Sequence, residues 1–145
     1  MNNLITIYIT NYNYGKYLEK SIESAINQKY KNINIIIVDD ASKDNSKKIL
    51  RRYENLNFIK IIHNKKRKGL IKSSNIAIRA SKGKYILRLD ADDFLHPSAI
   101  YNLFSRLNKN SKAKMIFPHN GRISNNLNAS GNHDRSRVQR TERSK

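Results

Sequence analysis

Apolar and polar residues alternate along this chain in short blocks, each closed by turn chemistry. Leu4-Ile5-Thr6-Ile7-Tyr8-Ile9-Thr10 is rich in β-branched residues and reads as a buried strand. Asn11-Tyr12-Asn13-Tyr14-Gly15 is a turn. From Tyr17 on, Leu18, Ile22, Ala25 and Ile26 recur at three- and four-residue spacing, which predicts an amphipathic helix ending near Gln28. Ile33 to Val38 is an apolar run too short for a helix, and it stops at Asp39-Asp40. Asp44-Asn45-Ser46 offers a cap for a short helix through about Tyr53, and Phe58 to Ile62 reads as a third strand. Leu70 to Ala80 is a further helix, with Gly83 placed for a left-handed cap. Tyr85 to Leu89 is a fourth strand, ending at Asp90-Ala91-Asp92-Asp93. His96-Pro97 opens a helix with Pro97 in its first turn and apolar positions at Ile100, Leu103, Phe104 and Leu107. Ala113 to Phe117 reads as a fifth strand.

Strands alternating with helices over short connections predict an α/β domain with an open, mostly parallel sheet and right-handed crossovers. That reading covers residues 1–119. Residues 120–145 hold only Ile123, Leu127, Ala129 and Val138 as apolar members, and the basic residue changes there from Lys to Arg. Such a composition predicts a disordered basic tail, and the change suggests an origin different from the rest, such as a truncated or out-of-frame end.

Charge widens the question before it narrows it. The chain carries 29 Lys and Arg against 11 Asp and Glu, a formal net charge of +18. The basic residues are spread along the whole chain and are densest at Asn64-Lys65-Lys66-Arg67-Lys68-Gly69. That run is either a solvated loop or an electropositive rim for an anionic substrate or membrane surface. No zinc-finger, helix-turn-helix or RNA-binding signature accompanies it, so nucleic acid is not the expected partner. The absence of Cys excludes disulfides and a cysteine nucleophile. No secretory signal and no membrane-spanning run is visible, which points to a cytoplasmic protein with at most a peripheral contact at the inner membrane face.

The acids are where the chemistry concentrates. Five of the 11 lie in two clusters, Asp39-Asp40 and Asp90-Asp92-Asp93, each at the carboxyl end of a predicted strand. In open α/β sheets ligands bind beyond those strand ends, so both clusters open on one edge. Crowded carboxylates repel and need a positive partner, and their oxygens suit Mg²⁺ or Mn²⁺. The alternative is that Asp39, Asp40 and Asp93 only cap loops and helices. Thr10 and Tyr12 end the first strand on the same edge, where a hydroxyl and a ring can meet a nucleobase, or simply form a turn.

These segments resemble a known family. Ile7 to Asn13, Ile22 to Tyr30, Ile35 to Ser46, and Gly83-Lys84-Tyr85-Ile86 leading into Leu89 to Asp93 and Pro97 are similar, in order and spacing, to the N-terminal half of family 2 glycosyltransferases. The resemblance runs from about residue 4 to 118. It implies a GT-A fold, a nucleotide-diphospho-sugar donor (a UDP-sugar first among them) and a divalent cation, Mn²⁺ or Mg²⁺. By resemblance, Thr10 and Tyr12 line the nucleobase pocket and Asp40 accepts from the base, with Asp39 beside it. Asp90 lies near the ribose and metal, Asp92 is the main metal ligand, and Asp93 shapes the loop. Relatives often carry Arg-Asn where this chain has Ser74-Asn75, with Lys72 nearby. The family's general base lies well downstream, and neither Asp134 nor Glu142 has a core context to serve as one. The expectation is therefore an incomplete transferase that binds donor with little or no transfer to its unknown glycan, lipid or protein acceptor. The alternatives are an inactive donor-binding module and a basic nucleic-acid-binding domain.

Overall fold

A computed structural model describes residues 3–109 of the chain. The fifth strand expected at 113–117, the boundary at 119 and the tail at 120–145 lie outside the described residues.

Four strands form one sheet: β1 (Ile5–Asn11), β2 (Ile33–Asp39), β3 (Ile59–His63) and β4 (Tyr85–Asp90). Their order is β3-β2-β1-β4 and every pair is parallel. The helices are α1 (Gly15–Ile26), α2 (Ser46–Leu50, extended by a 3-10 turn over Arg51–Tyr53), α3 (Leu70–Ala80) and α4 (Ala99–Lys109). The predicted open parallel sheet is thus the observed one. None of the described helices is long and apolar enough to cross a membrane.

Side chains alternate across the sheet and separate two cores. Ile5, Ile7 and Ile9 of β1 join Ile35 and Ile37 of β2 in a layer with Leu18, Ile22 and Ala25 of α1, Leu50 of α2 and Ile100 of α4. The opposite face sets Tyr8, Ile36 and Val38 against Ala77 of α3. β1 and β2 are covered on both sides, which is why their sequences read as continuous apolar runs. Each fully buried Ile or Leu contributes about 1.5–3 kcal/mol to this packing.

Several local expectations change once tertiary contacts are present. The third strand begins at Ile59, and Phe58 stays 39% exposed before it. Gly83 has no left-handed backbone. Gly69, φ +86°, is the only described glycine with positive φ. Gly83 is instead a point of close approach, because a Cβ there would lie 2.6 Å from both the backbone nitrogen and Oγ1 of Thr6. Pro97 lies in a turn ahead of α4, whose first residue is Ala99. α1 starts at Gly15, two residues before the apolar periodicity begins, with no side-chain cap from Tyr14. Its first N–H is satisfied from another element, since Gly15 N donates to Asp44 Oδ2 at 2.8 Å.

Candidate functional site

Parallel pairing sets the strand ends side by side. Thr10 is in register with Val38 on one side and with Asp90 on the other, and Asn11 with Asp39. The two acid clusters therefore share one edge of the sheet, as the strand assignments required. Between them lies a cavity of about 370 Å³ lined by Thr10, Asn11, Tyr12, Asp40, Arg88, Asp90 and Asp92, among others. That size suits a small organic ligand.

The β2 end is tied down by hydrogen bonds. Asp39 is fully buried and does not line the cavity. Its Oδ1 accepts from Asn11 Nδ2 at 2.9 Å, and its Oδ2 lies 3.5 Å from His63 Nδ1. Asn11 Nδ2 also donates to Ser42 Oγ, which accepts Asn13 N as well. Asp39 therefore joins the loop after β1 to the loop after β2. Asp40 lines the cavity but is only 4% exposed. Its Oδ1 accepts from Asn64 Nδ2 (2.7 Å) and Lys68 N (2.8 Å), and its Oδ2 from Gly69 N (2.7 Å). Burial alone would raise its pKa. The donors of Lys68, Asn64, Gly69 and Ser73 outweigh burial and hold it below the ordinary aspartate value. Ala41 follows at φ +63°, a left-handed conformation unusual for a residue with a Cβ.

Asp40 thereby folds the basic run 64–68 over the site. Arg67 stacks on Tyr12, with its guanidinium carbon 4.1 Å from the ring centroid. Both residues, with Gly69, Leu70 and Ser73 at the start of α3, line the cavity. Of the basic residues in the run only Arg67 lines the cavity, and Lys65, Lys66 and Lys68 are exposed.

The β4 end is built differently. Asp90 is 43% exposed and is held by Arg88, whose Nε donates to Oδ1 at 2.7 Å with Nη2 at 2.6 Å from the same oxygen. Asp92 is exposed and has no hydrogen-bond or ion-pair partner among the described residues. Asp93 does not line the cavity. Burial and the charges of Asp92 and Asp90 raise its pKa. No group of three or more metal-ligating side chains converges among the described residues. A Mg²⁺ or Mn²⁺ ion needs no such group, because it is commonly held by one or two carboxylates with waters and substrate phosphates completing its shell. The unpaired Asp92 carboxylate and the mutual repulsion at Asp93 fit a cation of that kind.

Sequence reasoning missed the residues that aim this loop. Ser21 Oγ donates to the carbonyl of Asp90, and Leu95 N donates to Ser24 Oγ. Gln28, fully buried, donates from Nε2 to the carbonyls of Ser24 and His96 and accepts from Ile100 N. The signal was present: Ser21 and Ser24 are polar residues of α1 beside Leu18, Ile22 and Ala25, and Gln28, just past the helix end, continues their helical spacing. Arg88 was also missed, since a lone cation in a strand carries no motif.

The family model for glycosyl transferase family 2 matches residues 6–145. The chain belongs to glycosyl transferase family 2. An uncharacterized glycosyltransferase of Haemophilus influenzae is 41% identical over 108 residues, 74% of this chain and 33% of the relative. The chain thus spans about a third of that relative's length. Among solved structures, S. aureus TarS 1–349 in complex with UDP-GlcNAc superposes with a TM-score of 0.67 at 22% identity, covering 72% of this chain and 31% of that 1–349 chain. The mannosyltransferase PcManGT from Pyrobaculum calidifontis, in complex with GDP-Man and Mn²⁺, gives 0.66 at 22% identity, covering 71% of this chain and 32% of that one. At that identity the two structures establish a shared fold, and the GT-A expectation holds.

Proposed function

We propose that this family 2 domain binds a nucleotide-diphospho-sugar through a divalent cation and serves as the donor half of a sugar transferase. The observation that carries the proposal is the shared cavity. It brings a ring and hydroxyl from the β1 end (Tyr12, Thr10) together with an unpaired carboxylate from the β4 end (Asp92). Thr10 and Tyr12 would meet the nucleobase. Asp40, whose oxygens are largely engaged by loop 64–69, would shape the base pocket and offer the base its remaining acceptor capacity. Asp39 would act through Asn11 and the loops, without touching the donor. Asp92 would hold the cation, with Asp90 beside it.

Transfer to an acceptor hydroxyl breaks the bond between the anomeric carbon and the diphosphate. A cation held by Asp92 and Asp90 would supply stabilisation of the negative charge on the departing nucleoside diphosphate. UDP, UDP-GlcNAc and GDP-Man in the structural neighbours support the donor class.

Calorimetry with UDP and GDP, each with and without Mn²⁺, tests the proposal on the wild type and on Asp92→Ala. Mn²⁺-dependent binding that falls about 100-fold in the variant is expected, on the scale of a several-kcal/mol metal contribution. Binding that ignores Mn²⁺ or survives Asp92→Ala would remove the cation from the proposal.

A further inference from the structure

Two charged cavity residues, Arg67 and Arg88, are given no task by the proposed function; Arg67 stacks on Tyr12, and Arg88 holds Asp90. Arg88 precedes Asp90 by two positions on β4, so both side chains leave the same face of the strand. Ile86, on that face as well, is 44% exposed, so this stretch of β4 is uncovered among the described residues. Two guanidinium nitrogens, Nε and Nη2, converge on the single oxygen Asp90 Oδ1, and the ion pair is 43% exposed on each side. Oδ2 of Asp90 accepts no hydrogen bond among the described residues.

We propose that Arg88 is an internal counter-ion that changes partners. It holds Asp90 while the cavity is without donor, and it passes its hydrogen bonds to the donor's diphosphate when a divalent cation takes Asp90. The inference rests on the donor-site reading above. A guanidinium and a dication repel each other, and a cation drawn to the free Oδ2 and held across both oxygens of Asp90 displaces Arg88 from Oδ1. A half-exposed ion pair of this sort is weak enough to exchange. Arg88 engages Asp90 alone, and the neighbouring Asp92 carboxylate has no hydrogen-bond or ion-pair partner among the described residues, so room for a further cation is left there. Once displaced, Arg88 stays charged and stays in the cavity, and its planar fork matches phosphate oxygens. With Asp90 and Asp92 taken by the cation and Asp40 engaged by its own loop, the displaced guanidinium has no free carboxylate in the cavity until a diphosphate arrives. Cation and nucleotide therefore bind cooperatively.

The test is a titration of the whole chain with Mn²⁺ alone, UDP alone, and UDP at saturating Mn²⁺. It compares wild type, Arg88→Gln and Arg88→Lys, with thermal unfolding confirming that each is folded. In Arg88→Gln, Mn²⁺ alone should bind about threefold more tightly, because its competitor for Asp90 is gone. UDP at saturating Mn²⁺ should bind about tenfold more weakly, because a charge-assisted phosphate contact is lost. Arg88→Lys, charged but without the fork, should fall between in both. A merely structural role would weaken both ligands together, and that result, or unchanged affinity for either ligand, overturns the inference while leaving the donor site standing. A wild type that fails to bind UDP with Mn²⁺ overturns the donor reading and this inference with it.

Discussion

Two groups of aspartates stand on the same sheet edge in opposite physical states. At the β2 end, Asp39 and Asp40 are buried, and their oxygens are met by the protein's own donors from Asn11, Asn64, Lys68 and Gly69. At the β4 end, Asp90, Asp92 and Asp93 are exposed or half-exposed, with Arg88 as their only ion-pair partner among the described residues. The sign of the pKa shift differs accordingly: lowered at Asp40, raised at Asp93. The first pair is satisfied internally and shapes the cavity. The second cluster carries unsatisfied negative charge and is the part of the site that the proposed function assigns to an external cation. A carboxylate at a strand end is therefore no evidence of ligand contact until its donors are counted.

Removing carboxylates one at a time should separate the two ends, and the largest effect belongs to Asp40. Asp40→Ala leaves the N–H groups of Lys68 and Gly69 and the amide of Asn64 without their acceptor, and should cost about 3 kcal/mol or more in denaturant unfolding. Asp92→Ala should change stability by less than about 0.5 kcal/mol in the same experiment, as expected of a surface group without partners. Equal losses at the two sites would break the distinction.

Acid titration sharpens it further. Asp40 and Asp44 both have lowered pKa values, each opposed by burial and driven by hydrogen bonds. A lowered folded-state pKa contributes stability that is present above the unfolded value, about 3.9, and is lost as pH falls through the folded value. The thermal midpoint should therefore drop below about pH 4. Asp93 has the opposite sign: its ionised form is disfavoured in the folded chain, so its protonation as pH falls through its raised value opposes the drop. Asp93→Asn should leave a steeper early decline. An unchanged profile would show that Asp93 does not carry the repulsion assigned to it.

A modest effect of the opposite sign is expected at Ala41, beside the satisfied pair. A residue with a Cβ at φ +63° is disfavoured by about 1–2 kcal/mol, and glycine's greater unfolded-state freedom returns part of that. Ala41→Gly should raise stability by up to about 1 kcal/mol without altering Mn²⁺ affinity. A loss of stability would mean that the turn needs its Cβ.

Much of this architecture was legible in the chain itself. β-branched runs, helical apolar spacing and short polar breaks specified four strands, their helices and their parallel arrangement, because burial on one or two faces imposes a period that propensity and turns reinforce. Acid clusters at two strand ends specified a common edge for the same reason. The state of each carboxylate was decided only by tertiary contact. Whether Asp39 touches a ligand or a neighbouring loop depends on Asn11 and His63, which lie 28 and 24 positions away in the chain. The cap of α1 comes from Asp44, the aim of the Asp90 loop from Ser21 and Gln28, and the tight space at Gly83 from Thr6. Hydrogen bonds and close approaches act over a few ångströms, and only the folded chain brings residues this distant in sequence within that range.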